Sequence, residues 1–216
     1  MTNKKAIVIG STGLVGRELI KQLSESPKYS EIISLVRRPS GFNFPKIKEH
    51  IINFDEPETW RNLVIGDVLF SCMGTTIANA KTKANQYKVD FKYQYKTAQI
   101  AATNQVPAYV LISAAGANAK SVNFYSRMKG ELDEAVSKLN FQTINILRPT
   151  QLYGNRTEKR TMERLALKIM FFINKAGILK KIRPVHAGEV ANAMIKSVDF
   201  QGLNIINLKD IFSLIK

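Results

Sequence analysis

Cysteine is nearly missing from this 216-residue chain: Cys72 stands alone. A single thiol can form no internal disulfide, so no oxidised framework holds the fold, and on cysteine usage a reducing cytoplasmic setting is expected. Cys72 closes an apolar run, where a buried structural thiol is expected rather than a reactive one. No His, Cys or acidic cluster has the spacing of metal ligands, and a metal centre is not expected. Long apolar runs are also lacking, since none approaches the roughly 20 residues that a bilayer-spanning helix needs. Lys4 and Lys5 lead straight into a short strand instead of the apolar stretch of a signal peptide, so no secretory leader is expected.

Acidic residues are scarce beside basic ones, 17 against 32, which leaves a formal charge of +15. Such an excess attracts phosphate backbones of any sequence. The cations are spread along the whole chain, however, with Lys81, Lys83, Lys88, Lys92 and Lys96 on one helical stretch. No aromatic platform for single strands and no recognition-helix pattern accompanies them, so sequence-specific nucleic-acid binding is not expected. An anionic substrate or a polyphosphate cofactor is use enough for part of the charge.

What the chain does have is alternation. Apolar runs at Ala6–Gly10, Ile32–Val36, His50–Ile52, Val68–Cys72, Tyr109–Ser113, Thr143–Leu147 and Asn204–Leu208 read as strands. Between them, residues 14–23, 91–102 and 129–139 carry apolar positions at helical spacing. Strand followed by helix, repeated, predicts an α/β fold: a three-layer, doubly wound parallel sheet of the Rossmann type, with six to seven strands in the order 3-2-1-4-5-6(-7). Length and a 45% hydrophobic content suit one domain over 1–216. Residues 151–185 read as a small insertion on the substrate side. Within it, 162–172 form a basic amphipathic stretch that suits a lid, a dimer contact or an element lying on a membrane surface.

The first strand breaks into Gly10-Ser11-Thr12-Gly13-Leu14-Val15-Gly16. Here Gly10 lets the chain leave the strand, Gly13 lets backbone approach a pyrophosphate, and Gly16 lets the helix pack close to the sheet. The helix that follows offers its free N–H groups to phosphate. A site for NAD would place Asp or Glu at the end of the second strand, on the ribose hydroxyls. This chain has Val36-Arg37-Arg38 there instead. Two guanidinium groups suit a 2′-phosphate, which favours NADP(H) over NAD(H); the bland reading is that one or both are ordinary loop residues. Asn53 and Phe54, after the third strand, are placed beside the adenine.

Ser113 ends a strand, and Tyr125 and Lys129 follow four residues apart, a spacing that puts them on one helix face. A phenol titrates near 10, and a neighbouring ammonium favours its ionised form, so Lys129 could tune Tyr125 for proton transfer while Ser113 bonds the substrate oxygen. His186 sits at a helix start, where capping or packing is the expected role, and Trp60 is assigned none.

These segments, together with Cys72-Met73-Gly74-Thr75-Thr76, Val89-Asp90, Leu111-Ile112-Ser113, Asn123 to Gly130 and Leu147-Arg148-Pro149, resemble the short-chain dehydrogenase/reductases, and in particular their atypical branch. The resemblance covers nearly the whole chain. It implies Ser113, Tyr125 and Lys129 as the catalytic set, with Lys129 also on the nicotinamide ribose. It further implies that Cys72, Gly74 and Thr75 pass beside the cofactor and that Pro149 and Thr150 meet its carboxamide. Asp90 falls where many relatives carry an Asn that supports the lysine. Extended members act on nucleotide sugars and normally add a substantial C-terminal domain, for which too few residues are left here. The implied reaction is hydride transfer between the nicotinamide and a small carbonyl compound. The alternative is a non-enzymatic NADP(H) sensor or scaffold acting on a regulatory protein partner. A homodimer is compatible with either.

Overall fold

Alternation along the first strand sets the layering of the whole molecule. In the computed structural model, which describes residues 3–154 and 183–216, β1 (Lys4–Ile9) sends Ala6 and Val8 to one side and Ile7 and Ile9 to the other. All four are fully buried, as a strand covered by helices on both faces requires. On the first side pack α1 (Leu14–Glu25), α7 (Ala187–Ser197) and α8 (Leu208–Leu214), through Val15, Leu19, Ile20, Val190, Met194 and Ile211. The opposite side is closed by α5 (Gln94–Thr103) and α6 (Phe124–Val136), through Ala98, Ala101, Leu132 and Val136, with Trp60 and Phe54 at its edge; the short helices α2 (Pro57–Trp60), α3 (Ile77–Ala80) and α4 (Lys83–Tyr87) precede α5 in the chain.

Among the described residues the sheet has seven parallel strands. They comprise β1, β2 (Tyr29–Val36), β3 (Ile47–Ile51), β4 (Val68–Ser71), β5 (Ala108–Ile112), β6 (Thr143–Arg148) and β9 (Gly202–Asn207), in the order β3-β2-β1-β4-β5-β6-β9. This is the Rossmann order expected from the sequence. A separate short pair, β7 (Leu152–Tyr153) with β8 (Val185–His186), joins the two ends of the 151–185 segment in parallel register. The amphipathic stretch 162–172 lies outside the described residues.

Because β1 pairs with β2 on one side and β4 on the other, the loops that leave β1 and β4 diverge, opening a crevice at the carboxyl ends of the strands. Two details differ from the sequence reading. The third strand runs over 47–51, not 50–52; it is an edge strand, and its charged Lys48 and Glu49 dilute the apolar signal. Helix α6 begins at Phe124, so it carries Tyr125 and Lys129 on one face as their spacing implies, and it extends ahead of the apolar stretch read from 129; it is started by the Asn123 side chain, which accepts the Ser126 N–H at 3.0 Å.

Candidate active site

The crevice is a cleft of about 790 Å³ running from the glycine turn to the start of α6. At one end Gly10 has φ +75°, and a side chain there would strike the Cys72–Met73 backbone. A Cβ on Gly16 would run into the Gly10 carbonyl, so α1 can sit this close only because the position is glycine. The helix starts at Gly13, whose lack of a side chain leaves its first turn uncapped and facing the cleft. Ser11 is buried and accepts a hydrogen bond from Ser34 Oγ at 2.8 Å, pinning the turn to β2.

Gly10, Ser11, Thr12, Gly13, Leu14, Val15, Arg37, Phe54, Cys72, Gly74, Thr75, Asp90, Ser113, Tyr125 and Lys129 all line this one cleft. Arg38, Asn53, Pro149 and Thr150 do not. Asn53 instead builds a local turn: its carbonyl accepts Trp60 Nε1–H at 2.8 Å and its amide donates to Glu56 at 2.8 Å. The Pro149 carbonyl accepts the Ala115 N–H, and Thr150 donates to the Arg183 carbonyl at 2.7 Å. Where Arg38 was expected, Arg17 lines the cleft beside Arg37. Its Nε donates to the Thr12 carbonyl at 3.1 Å and its guanidinium lies 5.5 Å from the centre of the Phe42 ring. Arg37 has no ionic partner among the described residues. Phe54 stacks on Tyr93 at 5.2 Å and forms an aromatic wall.

At the other end, Ser113 follows β5 and Tyr125 and Lys129 project from successive turns of α6. Tyr125 is 42% exposed, whereas Lys129 is buried. Its ammonium meets Asp90 Oδ1 at 3.3 Å. Burial works against the lysine's charge, but the Asp90 carboxylate, aided by Tyr125 and Asp133, overrides it and raises the Lys129 pKa. Asp90 is pushed upward in turn, chiefly by burial, with Lys129 and the Thr75 N–H pulling it back. That N–H donates to Asp90 Oδ2 at 2.8 Å. Asp90 lies in a stretch of wide π turns, Lys88–Tyr93, of the kind found at functional sites. Gln94 braces it, donating to the Asp90 carbonyl at 2.6 Å and accepting from Ser71 Oγ at 2.7 Å. Where the resemblance implies an asparagine, this chain thus has a carboxylate that pairs directly with the lysine.

Cys72 is half-buried at the cleft wall, its Sγ 3.9 Å from Met194 Sδ, and desolvation of the thiol pushes its pKa up. His186 caps α7: its Nδ1 accepts the Gly188 N–H at 3.1 Å while Glu189 reaches back to the His186 N–H at 2.9 Å. Sequence reasoning missed Arg17, Gln94 and Asp133. The last was within reach, since it follows Lys129 by one more helical turn.

Residues 6–200 match the family described as NAD dependent epimerase/dehydratase. The chain belongs to that family. Among curated proteins it is 32% identical over 205 residues to "Protein FMP52, mitochondrial" of Candida albicans, covering 91% of this chain and 88% of that protein. It is 34% identical over 158 residues to the Saccharomyces cerevisiae protein of the same name, covering 71% and 68%. In three dimensions it is similar to the Helicobacter pylori ADP-L-glycero-D-manno-heptose-6-epimerase, with a TM-score of 0.72, 20% identity, and coverage of 99% and 82%. Another similar fold is a short-chain dehydrogenase/reductase superfamily protein of Agrobacterium tumefaciens with bound NAD, with a TM-score of 0.70, 13% identity, and coverage of 94% and 77%. The short-chain dehydrogenase/reductase relationship read from the sequence therefore holds, and the family that the chain matches is described as NAD dependent. The cytoplasmic expectation does not hold, because the fungal relatives are named as mitochondrial proteins. A single thiol excludes an internal disulfide but does not separate one reducing compartment from another. Among the described residues no helix is long and apolar enough to cross a membrane.

Proposed function

We propose that this protein is an NADP(H)-dependent oxidoreductase that interconverts a small carbonyl compound and its alcohol, with Tyr125 as acid/base. The observation that carries the reading is the convergence of Ser113, Tyr125 and Lys129 on the same cleft as the Gly10–Gly16 turn. A cofactor-binding scaffold without turnover has no need of that set.

The cleft's features suit a dinucleotide. Its volume lies in the range of ligand sites, and the uncapped start of α1 presents backbone N–H groups to a pyrophosphate. Arg37 and Arg17, at the end of β2 and on the first turn of α1, are positioned for a 2′-phosphate. The aromatic wall of Phe54 and Tyr93 suits the adenine end, and Lys129 the nicotinamide ribose. When bound, the nicotinamide dinucleotide supplies a hydride to the carbonyl carbon or takes one from the alcohol.

The remaining work falls to the protein. In reduction, Tyr125 gives its hydroxyl proton to the carbonyl oxygen as the new C–H bond forms, and Ser113 hydrogen-bonds that oxygen and holds it within reach. Tyr125 is left as phenolate and recovers a proton from solvent, which its exposure permits. Lys129 keeps a positive charge on the same helix face, favouring the phenolate while it lasts, and Asp90 holds that ammonium in place.

The test is NADPH oxidation, followed by absorbance over a panel of aldehydes, ketones and quinones, with Tyr125→Phe in parallel. Turnover of at least one carbonyl, reduced about 10²- to 10⁴-fold in the variant, is expected. Equal rates in the two proteins would remove Tyr125 from the reaction.

A further inference from the structure

One turn beyond Lys129 on α6, Asp133 is almost sealed from solvent although it is a carboxylate. Four groups face it. Arg148, at the end of β6, grips Oδ2 through Nη2 at 2.9 Å and Nε at 3.0 Å. Lys129 shares its helix face, and the hydroxyls of Ser113 and Tyr109 approach from β5 and its end.

The other carboxylate oxygen, Oδ1, is buried and completes no hydrogen bond; the same is true of Ser113 Oγ. Ser113 sits beside this pair, its N–H donating to the Leu147 carbonyl at 2.8 Å, one residue before Arg148, and its hydroxyl acts with Arg148 and Lys129 against the larger upward push of burial on the Asp133 carboxyl. A buried polar atom left unpaired is costly. The Tyr109 hydroxyl is likewise buried and unpaired, so Oδ1 has two candidate donors, of which the serine is the one that lines the cleft.

We propose that Asp133, anchored on one oxygen by Arg148, is a positioning residue for Ser113: its free oxygen accepts the Ser113 hydroxyl and fixes the direction in which the serine presents itself to the cleft. This rests on the oxidoreductase reading insofar as Ser113 meets the reacting oxygen. Ser113 and Lys129 line the cleft whereas Asp133 does not, so in this proposal it exchanges no proton with substrate. The end of β6, through Arg148, thus supports the serine that follows β5 by way of a residue of α6.

Two measurements test this separately. The first needs no substrate: the carboxyl carbon of Asp133, assigned by the signal lost in Asp133→Asn, is titrated by carbon-13 NMR in the wild type and in Ser113→Ala. Removing the hydroxyl should raise the Asp133 midpoint by roughly half a pH unit or more. An unmoved midpoint would overturn the contact.

The second uses NADPH with 4-nitrobenzaldehyde and 9,10-phenanthrenequinone as probes. Asp133→Asn should lower kcat by roughly 10- to 100-fold with the KM for NADPH within about twofold. The double variant with Ser113→Ala should be no slower than Ser113→Ala alone, because the two residues act as a unit. Multiplying losses would overturn the positioning role. Should Asp133→Asn fail to fold, Arg148→Lys, which keeps the charge but loses the fork, carries the same comparison. Absence of turnover in the wild type would defeat the oxidoreductase reading and leave the NMR titration to decide the Ser113–Asp133 contact.

Discussion

Lys129 and Asp90 form an ion pair of 3.3 Å with both side chains withdrawn from solvent, so the ammonium of the candidate catalytic set has its counter-charge inside the protein. Two ions taken out of water are costly to separate, since removing either leaves the other uncompensated. Asp90→Asn should therefore lower unfolding free energy by about 3 kcal/mol near neutral pH. Lys129→Met should also destabilise, and the double variant should recover part of the loss. Urea denaturation of the four proteins gives the coupling, and additive losses would mean that the pair contributes nothing as a pair.

The same pair sets an alkaline limit. Lys129 holds its proton more tightly in the folded state than at its ordinary value of 10.5. Its stabilising contribution is therefore complete below pH 10.5 and is lost as the pH climbs through the higher folded value. Above about pH 10.5 the wild type should lose stability faster than Lys129→Met, by up to about 1.4 kcal/mol per pH unit. Parallel pH profiles for the two proteins would show that Lys129 does not titrate differently on folding.

Phosphate recognition divides the arginines. Arg37→Ala should weaken NADPH binding about 10- to 100-fold, the scale of a lost charge-assisted hydrogen bond, and leave NADH binding within about twofold. Arg17→Ala should act in the same direction. Arg38, which does not line the cleft, should change either affinity by less than about twofold. Calorimetric titration with both cofactors decides this, and equal losses for NADPH and NADH in Arg37→Ala would refute recognition of the 2′-phosphate.

Gly16→Ala tests the seat of the dinucleotide. Its Cβ would meet the Gly10 carbonyl and Ser11 Cα, backbone atoms that cannot rotate away. The expected cost is about 3 kcal/mol or more, at the upper end of overpacking, with cofactor affinity falling as α1 is pushed off the sheet. A variant with wild-type denaturation midpoint and NADPH affinity would show that α1 can shift without consequence.

Most of the fold was legible because the buried strands are apolar without interruption. Ala6–Ile9, Val68–Phe70 and Tyr109–Ile112 allow no other reading once helices are seen between them. β3 was blurred because an edge strand need not be apolar on both faces, and the apolar spacing of α6 was legible only from 129 because its first turn, Phe124-Tyr125-Ser126, lacks a helical apolar stripe. In the site, the glycine turn and the Ser113, Tyr125 and Lys129 set were readable because each depends on local spacing. The exchange of Arg38 for Arg17 was not, because it depends on which way a side chain leaves the end of β2 and how near α1 lies to it. Nor was the Asp133–Arg148 pair, which joins a helix to a strand 15 residues away and exists only once the sheet is assembled.

The π stretch at Lys88–Tyr93 makes the site sensitive to chain length as well as to composition. A wide turn holds one more residue than an α turn, so the residues before it and after it are out of step by one position. Deleting a single residue there would restore ordinary helical phase and swing everything on the N-terminal side by about 100° relative to α5. Thr97, Ala98 and Ala101 could then keep their places against the sheet while Asp90 left Lys129. The extra residue lets one helix face two masters, the core with one end and the reacting groups with the other, and loss of one residue would disarm the cleft while sparing the fold.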